Sequence, residues 1–191
     1  MASNDLTTLS RVKTYGNVTI STDDPLLQNL ITAVSVAVIR YLGRNILSAQ
    51  YTAVMDGNGA ALLPLPQYPI TAVSSLKINN VAKSALVDYG DGGFIFRGRE
   101  VGFQNASDKF TLGIANVAIS YTAGYATDAV PSDLEQAVVE MVVVNYQNKD
   151  KLGWVSKSLA GESVTMQLDQ KAMSNSVKLT LQSYMNVLPI K

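Results

Sequence analysis

The chain has 191 residues, with 15 basic and 15 acidic side chains and neither cysteine nor histidine. That length suits one large domain, or one domain carrying a substantial insertion, and buries enough surface to fold without staples. The missing Cys and His exclude disulfides, thiolate or ordinary zinc sites, and Ser-His or Cys-His nucleophile pairs. Balanced charge argues against a protein that grips nucleic acid through phosphates. The mild basic excess after Lys149 reads as a solvated face.

The opening residues, Met1-Ala2-Ser3-Asn4-Asp5, are polar and lead into no apolar run, so no signal peptide is expected. Apolar windows are broken short of the roughly 20 residues a membrane span requires, so a soluble, unsecreted protein is expected. The sequons at Asn17 and Asn105 are then accidental.

In chain order, Leu6 to about Tyr15 is predicted as a short amphipathic helix ended by Gly16. Asp24-Pro25 opens a second, longer helix, with Asp24 capping free amides and Pro25 costing nothing in the first turn. Leu27, Leu30, Ile31, Val34, Val38 and Tyr41 recur at helical spacing, and Gly43 is a natural stop. From 50 to about 126 the pattern becomes β-branched and aromatic runs between turn residues. Strands are expected at Tyr51–Met55, Ala61–Leu65, Val73–Ile78, Phe94–Arg97, Lys109–Leu112 and Val117–Tyr121. Asp56-Gly57-Asn58-Gly59 predicts a hairpin joining the first two. Pro64, Pro66 and Pro69 confine their surroundings to edge or loop.

Ser132 and Glu135 have capping-box spacing and begin a third helix that reaches Lys149. Its valines favour a strand, but the run is too long for one. Glu140 is the sole polar residue between Ala137 and Val144, so this helix should be covered on most sides, as a central core helix or in part against another chain. A small-residue arm follows at about 154–170, and a last helix is expected over Ser176–Leu188. The fold class is therefore α+β: a helical core of about four helices with a large antiparallel β-rich insertion between the second and third main helices. The expected parts are 1–49, 50–126 and 127–191.

Chemistry is sparse. There is no Gly-rich phosphate loop, and Asp56-Gly57-Asn58 lacks the later ligands of a calcium loop, so it reads as a turn. Asp88, Asp91 and Glu100 are the candidates for a carboxylate pair, but they sit among turn glycines. Tyr89, Phe94, Phe96, Phe103, Tyr121 and Tyr125 would serve either as a β core or as a stacking platform. The platform underlies the alternative function, a carbohydrate- or ligand-binding module. No catalytic residue, metal site or cofactor is assigned. The candidate residues are for protein contact: Trp154, Ser156, Lys157, Ser158, Leu159, Gly161 and Val164 in the arm, and Tyr184 and Met185 in the last helix.

An ordered set of segments resembles the head–tail connector, or adaptor, family of tailed bacteriophages and prophages. It runs Leu6–Lys13, Asp23-Asp24-Pro25-Leu26-Leu27, Arg40-Tyr41-Leu42-Gly43-Arg44, Tyr121-Thr122-Ala123-Gly124-Tyr125 ahead of Pro131–Leu134, and Ser156–Val164. The resemblance implies a non-enzymatic homo-oligomeric ring, usually dodecameric, docked beneath the portal protein in the virion neck and made in the host cytoplasm. Such a ring retains packaged DNA, extends its channel without sequence-specific binding, and offers a platform to a downstream neck, stopper or tail protein; no membrane is involved. Smaller members are mostly helical, so the long β block departs from the family pattern.

Overall fold

The computed structural model describes residues 4–86, 93–105, 107–149, 156–159, 162–165 and 173–185. The chain divides into two compact units, one helical, Met1–Gly43 with Val130–Val187, and one built of sheets, Arg44–Ala129 with Leu188–Lys191. This is the mixed α+β class expected, with the β-rich stretch lying between the second and third helices in sequence.

The helical unit contains α1 (Leu9–Gly16), α2 (Asp24–Leu42), α3 (Ser132–Gln147) and α4 (Asn175–Ser183). α1 starts three residues later than the spacing of Leu6 suggested. Thr8 is its cap, accepting from the Arg11 amide, and Asn17 ends it in the left-handed region. Leu6 lies ahead of the helix, buried, with its amide on Ser35 Oγ at 3.0 Å. In α2 the buried stripe is Leu27, Ile31, Val34, Ser35, Val38 and Leu42, while Tyr41 points out. Gly43 closes the helix at φ +66, as its position predicted.

α2 is 19 residues long with a mean hydropathy of 1.4 over its best 18-residue window, so by length and composition it is apolar enough to cross a membrane. The sequence reading excluded such a window too strictly. About a third of that window is buried, in the stripe that packs with α1, α3 and α4, while Leu26, Val36 and Tyr41 are exposed.

α3 is the centre of this unit. Leu134, Ala137, Val138, Val139, Met141, Val142 and Val143 are all buried within the chain, leaving only Val144 of the valine run exposed. α1 approaches α3 closely at Gly16, where an added Cβ would lie 3.3 Å from a Val143 methyl. α4 is shorter than predicted and stops at Ser183. Its last turn tightens through Tyr184 N–H to the Leu181 carbonyl and Met185 N–H to the Gln182 carbonyl, while the Ser183 hydroxyl donates to the Thr180 carbonyl.

Among the described residues the sheet unit holds seven strands: β1 (Ala49–Gly57), β2 (Leu62–Pro64), β3 (Ile70–Ile78), β4 (Val81–Lys83), β5 (Phe94–Arg97), β6 (Glu100–Phe103) and β7 (Gly113–Ala123). A four-stranded sheet has the order β1-β7-β3-β4 and a three-stranded sheet the order β2-β6-β5. All pairings between these strands are antiparallel. β7 is the spine: Val117, Ile119, Tyr121 and Ala123 alternate inward along it and join Leu63, Leu65, Leu76, Phe94, Val101, Phe103 and Phe110 in one core.

Two strand expectations fail here. Lys109–Leu112 is not a strand; Phe110 is instead plugged into the core from a loop. The Asp56–Gly59 segment is not a hairpin, because β1 and β2 belong to different sheets. It is a corner, in which Asn58 Oδ1 accepts from the Ala60 amide at 2.9 Å and Asn58 Nδ2 donates to the Leu62 carbonyl at 2.9 Å.

A third pair of strands, β8 (Ser156–Leu159) and β9 (Glu162–Thr165), forms a separate two-stranded antiparallel hairpin.

Candidate functional site

Among the described residues, those proposed for chemistry supply no catalytic arrangement. Asp56 is engaged by the neighbouring strand, its Oδ1 accepting the Ala115 amide of β7 at 2.7 Å, and the turn reading of this segment rests on Asn58 Oδ1 accepting the Ala60 amide. Asp88, Asp91 and Tyr89 lie outside the described residues. Glu100 faces Arg97 across the exposed end of the β5–β6 hairpin. Among the described residues no three His, Cys, Asp or Glu side chains come close enough to share a metal ion.

The aromatic platform is not formed by the residues placed. Phe94, Phe103 and Tyr121 are core residues, with Phe103 packed on Phe110 at 5.0 Å between ring centres and Tyr121 on Tyr51 at 5.6 Å. Among the described members of that set only Phe96 is an exposed large aromatic.

What remains are surfaces and the devices that hold them. In the arm, Ser156 pairs with Thr165, Lys157 with Val164, Ser158 with Ser163 and Leu159 with Glu162. Trp154 and Gly161 fall outside the described residues. Tyr184 is committed within its own unit, donating its hydroxyl to Asp133 Oδ1 at 2.7 Å and so tying the end of α4 to the first turn of α3. Met185 beside it is exposed.

The helical unit is fastened by polar ties that periodicity did not reveal. Asp5, 2 % exposed, accepts from Gln28 Nε2 at 2.7 Å and Thr32 Oγ1 at 2.9 Å, pinning the N-terminal segment to α2. Lys13 joins α1 to the start of α2 through Asp24 Oδ1 at 2.6 Å and the Ile20 carbonyl at 2.9 Å. Asp24 was read as the helix cap, but the N-cap position is Asp23 and neither carboxylate caps by side chain. Glu135 likewise closes no capping box, because α3 begins at Ser132 behind Pro131. Instead its Oε1 accepts from Thr7 Oγ1 at 3.1 Å and pairs with Arg11 Nε at 3.2 Å.

Asp23 receives Tyr146 Oη at 2.5 Å and Lys149 Nζ at 2.7 Å. Lys149 and then Tyr146 hold its carboxyl below the ordinary carboxylate value. The same bonds raise the pKa of both Lys149 and Tyr146.

In the sheet unit the end of β1 and the start of β7 form a hydrogen-bonded tip. Asn116 is its hub: Oδ1 accepts the Gly57 amide at 2.8 Å, and Nδ2 donates to the Thr111 carbonyl at 2.8 Å and to Asn79 Oδ1 at 3.2 Å. Gly57 is required here, since a Cβ would collide with the Thr111 carbonyl. The tip holds Leu112 and Ile114 out in water, 80 % and 90 % exposed. At the other end, buried Arg44 lies 3.6 Å over the Tyr68 ring and donates from Nη1 to the Tyr68 carbonyl at 2.6 Å. Burial lowers its pKa from the ordinary arginine value.

The head completion protein family model matches residues 5–187, and the chain belongs to that family, which is a structural family and not an enzyme family. No curated protein matches.

Three solved structures share the fold over the full length of this chain. One is a chain from the neck of an empty GTA particle computed with C6 symmetry, with TM-score 0.60, 16 % identity, and 100 % of this chain and 94 % of that chain covered. A chain from the virion of a native gene transfer agent (GTA) particle gives TM-score 0.58 and 14 % identity over 100 % and 94 %. The third, from the neck of a native GTA particle computed with C12 symmetry, gives 0.56 and 15 % over 100 % and 95 %.

Proposed function

We propose that the chain is a head–tail connector subunit in the neck of a tailed-phage-type particle. Copies of it form a ring, of twelve subunits in the virion, that docks beneath the portal protein after packaging. The ring retains the genome, continues the DNA channel and presents a platform to the next neck, stopper or tail protein. The observation that carries this reading is the family match over residues 5–187, joined to a fold shared with neck chains computed with C6 and C12 symmetry.

The chemistry is consistent with a conduit. Equal numbers of basic and acidic residues give a wall that does not hold DNA by its phosphates, so the duplex slides. The β8–β9 arm, with Trp154 before it and the α4 end at Tyr184 and Met185, supplies the contacts to neighbouring subunits or the portal. Contacts of this head-to-tail kind close into rings when the rotation between copies permits.

The test is negative-stain microscopy of the full-length chain mixed with the portal protein of the same particle. A symmetric ring stacked on the portal is the expected image, and no association under assembly conditions overturns the reading. Deleting Ser156–Thr165 should leave the monomer folded but block assembly onto portal-bearing heads; unchanged particle yield would remove the arm from the interface.

A further inference from the structure

The outer strands of the four-stranded sheet are β1 and β4, and they differ sharply. β4 has three residues, and the chain just beyond it is engaged where Ala85 bridges Phe94. β1 has nine, pairs with β7 along one edge, and among the described residues has no strand on the other. In an antiparallel strand every second residue turns its N–H and C=O away from the partner, so this edge offers about four unspent donor–acceptor pairs.

Soluble proteins guard such edges with lysine, proline, a mid-strand bulge or a very short strand. Ala49–Met55 reads Ala-Gln-Tyr-Thr-Ala-Val-Met, with no charge and no proline, and its one irregularity comes at the end, between Met55 and Gly57. Tyr51, Ala53 and Met55 pack on the core, whereas Val54 is 62 % exposed. At the same end, exposed Leu112 and Ile114 flank Gly113, the pairing partner of Gly57. The open edge therefore ends in an apolar patch held in place by Asn116 and Asp56.

The β8–β9 hairpin has the complementary need. Its strands are four residues each, they pair only with each other among the described residues, and a two-stranded hairpin alone is marginal in water. Symmetry then selects the arrangement. β1 against β1 of another copy is a two-fold contact that closes at a dimer; β1 against a different strand continues from copy to copy around a ring.

We propose that β1 of one copy is a socket in which the β8–β9 hairpin of a neighbouring copy adds to the sheet by β-augmentation. The proposal rests on the ring reading above and specifies which surface the arm grips.

Because the chain has no cysteine, single cysteines report cleanly. Full-length V54C and S158C variants are mixed at high concentration and oxidised. A disulfide between them requires Cα atoms within about 7 Å. The expected product is the mixed dimer, at least about tenfold over either self-linked dimer; T52C tests the next position on the same face of β1, and S163C the other strand of the hairpin. No excess of mixed dimer in any of these pairs overturns the socket. So does a dominant V54C self-dimer, which would mean β1 pairing with β1, or an intramolecular disulfide in dilute V54C/S158C double variant, which would mean closure within one chain.

A second arm uses Val54→Lys, an edge-guarding change at an exposed position that should leave the thermal midpoint within a degree or two. Rings on the portal should be lost as they are when the hairpin is deleted. If V54K forms rings and the hairpin deletion does not, the socket is wrong and the ring reading stands. If the unaltered chain forms no ring, the ring reading fails, and the cysteine pairs still decide whether hairpin and β1 meet.

Discussion

The two units of this protein achieve order by different means. In the helical unit the backbone satisfies itself within each helix, so nothing in the main chain says which helix lies against which. Side chains have to say it: all three described ion pairs belong to this unit, and each joins separate segments, Arg11 to Glu135, Lys13 to Asp24 and Lys149 to Asp23. In the sheet unit the ladders themselves carry the long-range instruction, with β1 and β3 both registered on β7. There the side-chain bonds are mostly neutral, made by Asn, Thr and Ser along the strands and at the tip. A helical assembly is thus specified by charge and shape, and a sheet by its own hydrogen bonds.

The strongest way to break this comparison is to open one core and watch the other. Ile31 in α2 and Ile119 in β7 are fully buried and chemically identical, so truncating either to alanine should cost about 2–5 kcal/mol. Hydrogen exchange measured residue by residue should separate them. Ile119→Ala is expected to speed exchange in β1, β3 and β7 while leaving α2 and α3 protected, and Ile31→Ala should do the reverse. Equal acceleration throughout both variants would mean that the two units unfold as one.

A smaller effect tests the neutral network. Asn116→Ala removes the acceptor of the Gly57 amide and the donor to Thr111 and Asn79 at once. A loss of about 1–3 kcal/mol is expected, because donors and acceptors are left without partners. The loss should be insensitive to salt, since no ion pair is involved. A chemical-denaturation series in urea at low and high NaCl checks both statements, and a cost that fell with salt would show that charge had been overlooked at the tip.

How much of this was legible follows from the same physics. Helix periodicity located α2, because burial of Leu27, Ile31, Val34 and Val38 is a local pattern, whereas α3 was legible from the length of its apolar run and from a Ser132–Glu135 spacing that forms no capping box. The ties through Asp5, Asp23 and Glu135 were invisible because their partners lie from 23 to 128 positions away. Asp-Gly-Asn-Gly misled for a related reason: a turn signal says that the chain bends, not that the strands on either side pair. The true two-residue hairpin, β3 to β4, turns on Asn79 and Asn80, both at positive φ. Asparagine tolerates that region, so the dipeptide was a readable signal that went unused. The arm residues Ser156–Leu159 and Val164 do form strands, but no local pattern names what a strand edge will meet.

The smallest effect sharpens the charged side of the comparison. Asp23 sits with its carboxyl pKa below the ordinary value, Lys149 being the main cause and Tyr146 the next. A depressed carboxylate contributes stability that is fully present above its unfolded pKa and fades as pH falls through the lower folded one. Lys149 and Tyr146 are raised, so their contributions are complete below their unfolded values and are lost only in strong alkali. The gap in thermal midpoint between the unaltered chain and Asp23→Asn should therefore be flat from about pH 5 to 9 and close below about pH 4. It should also shrink in high salt, because the groups are partly exposed and screened. A gap that widened on acidification would mean that Asp23 opposes folding, and that the charges of the helical unit follow its packing instead of specifying it.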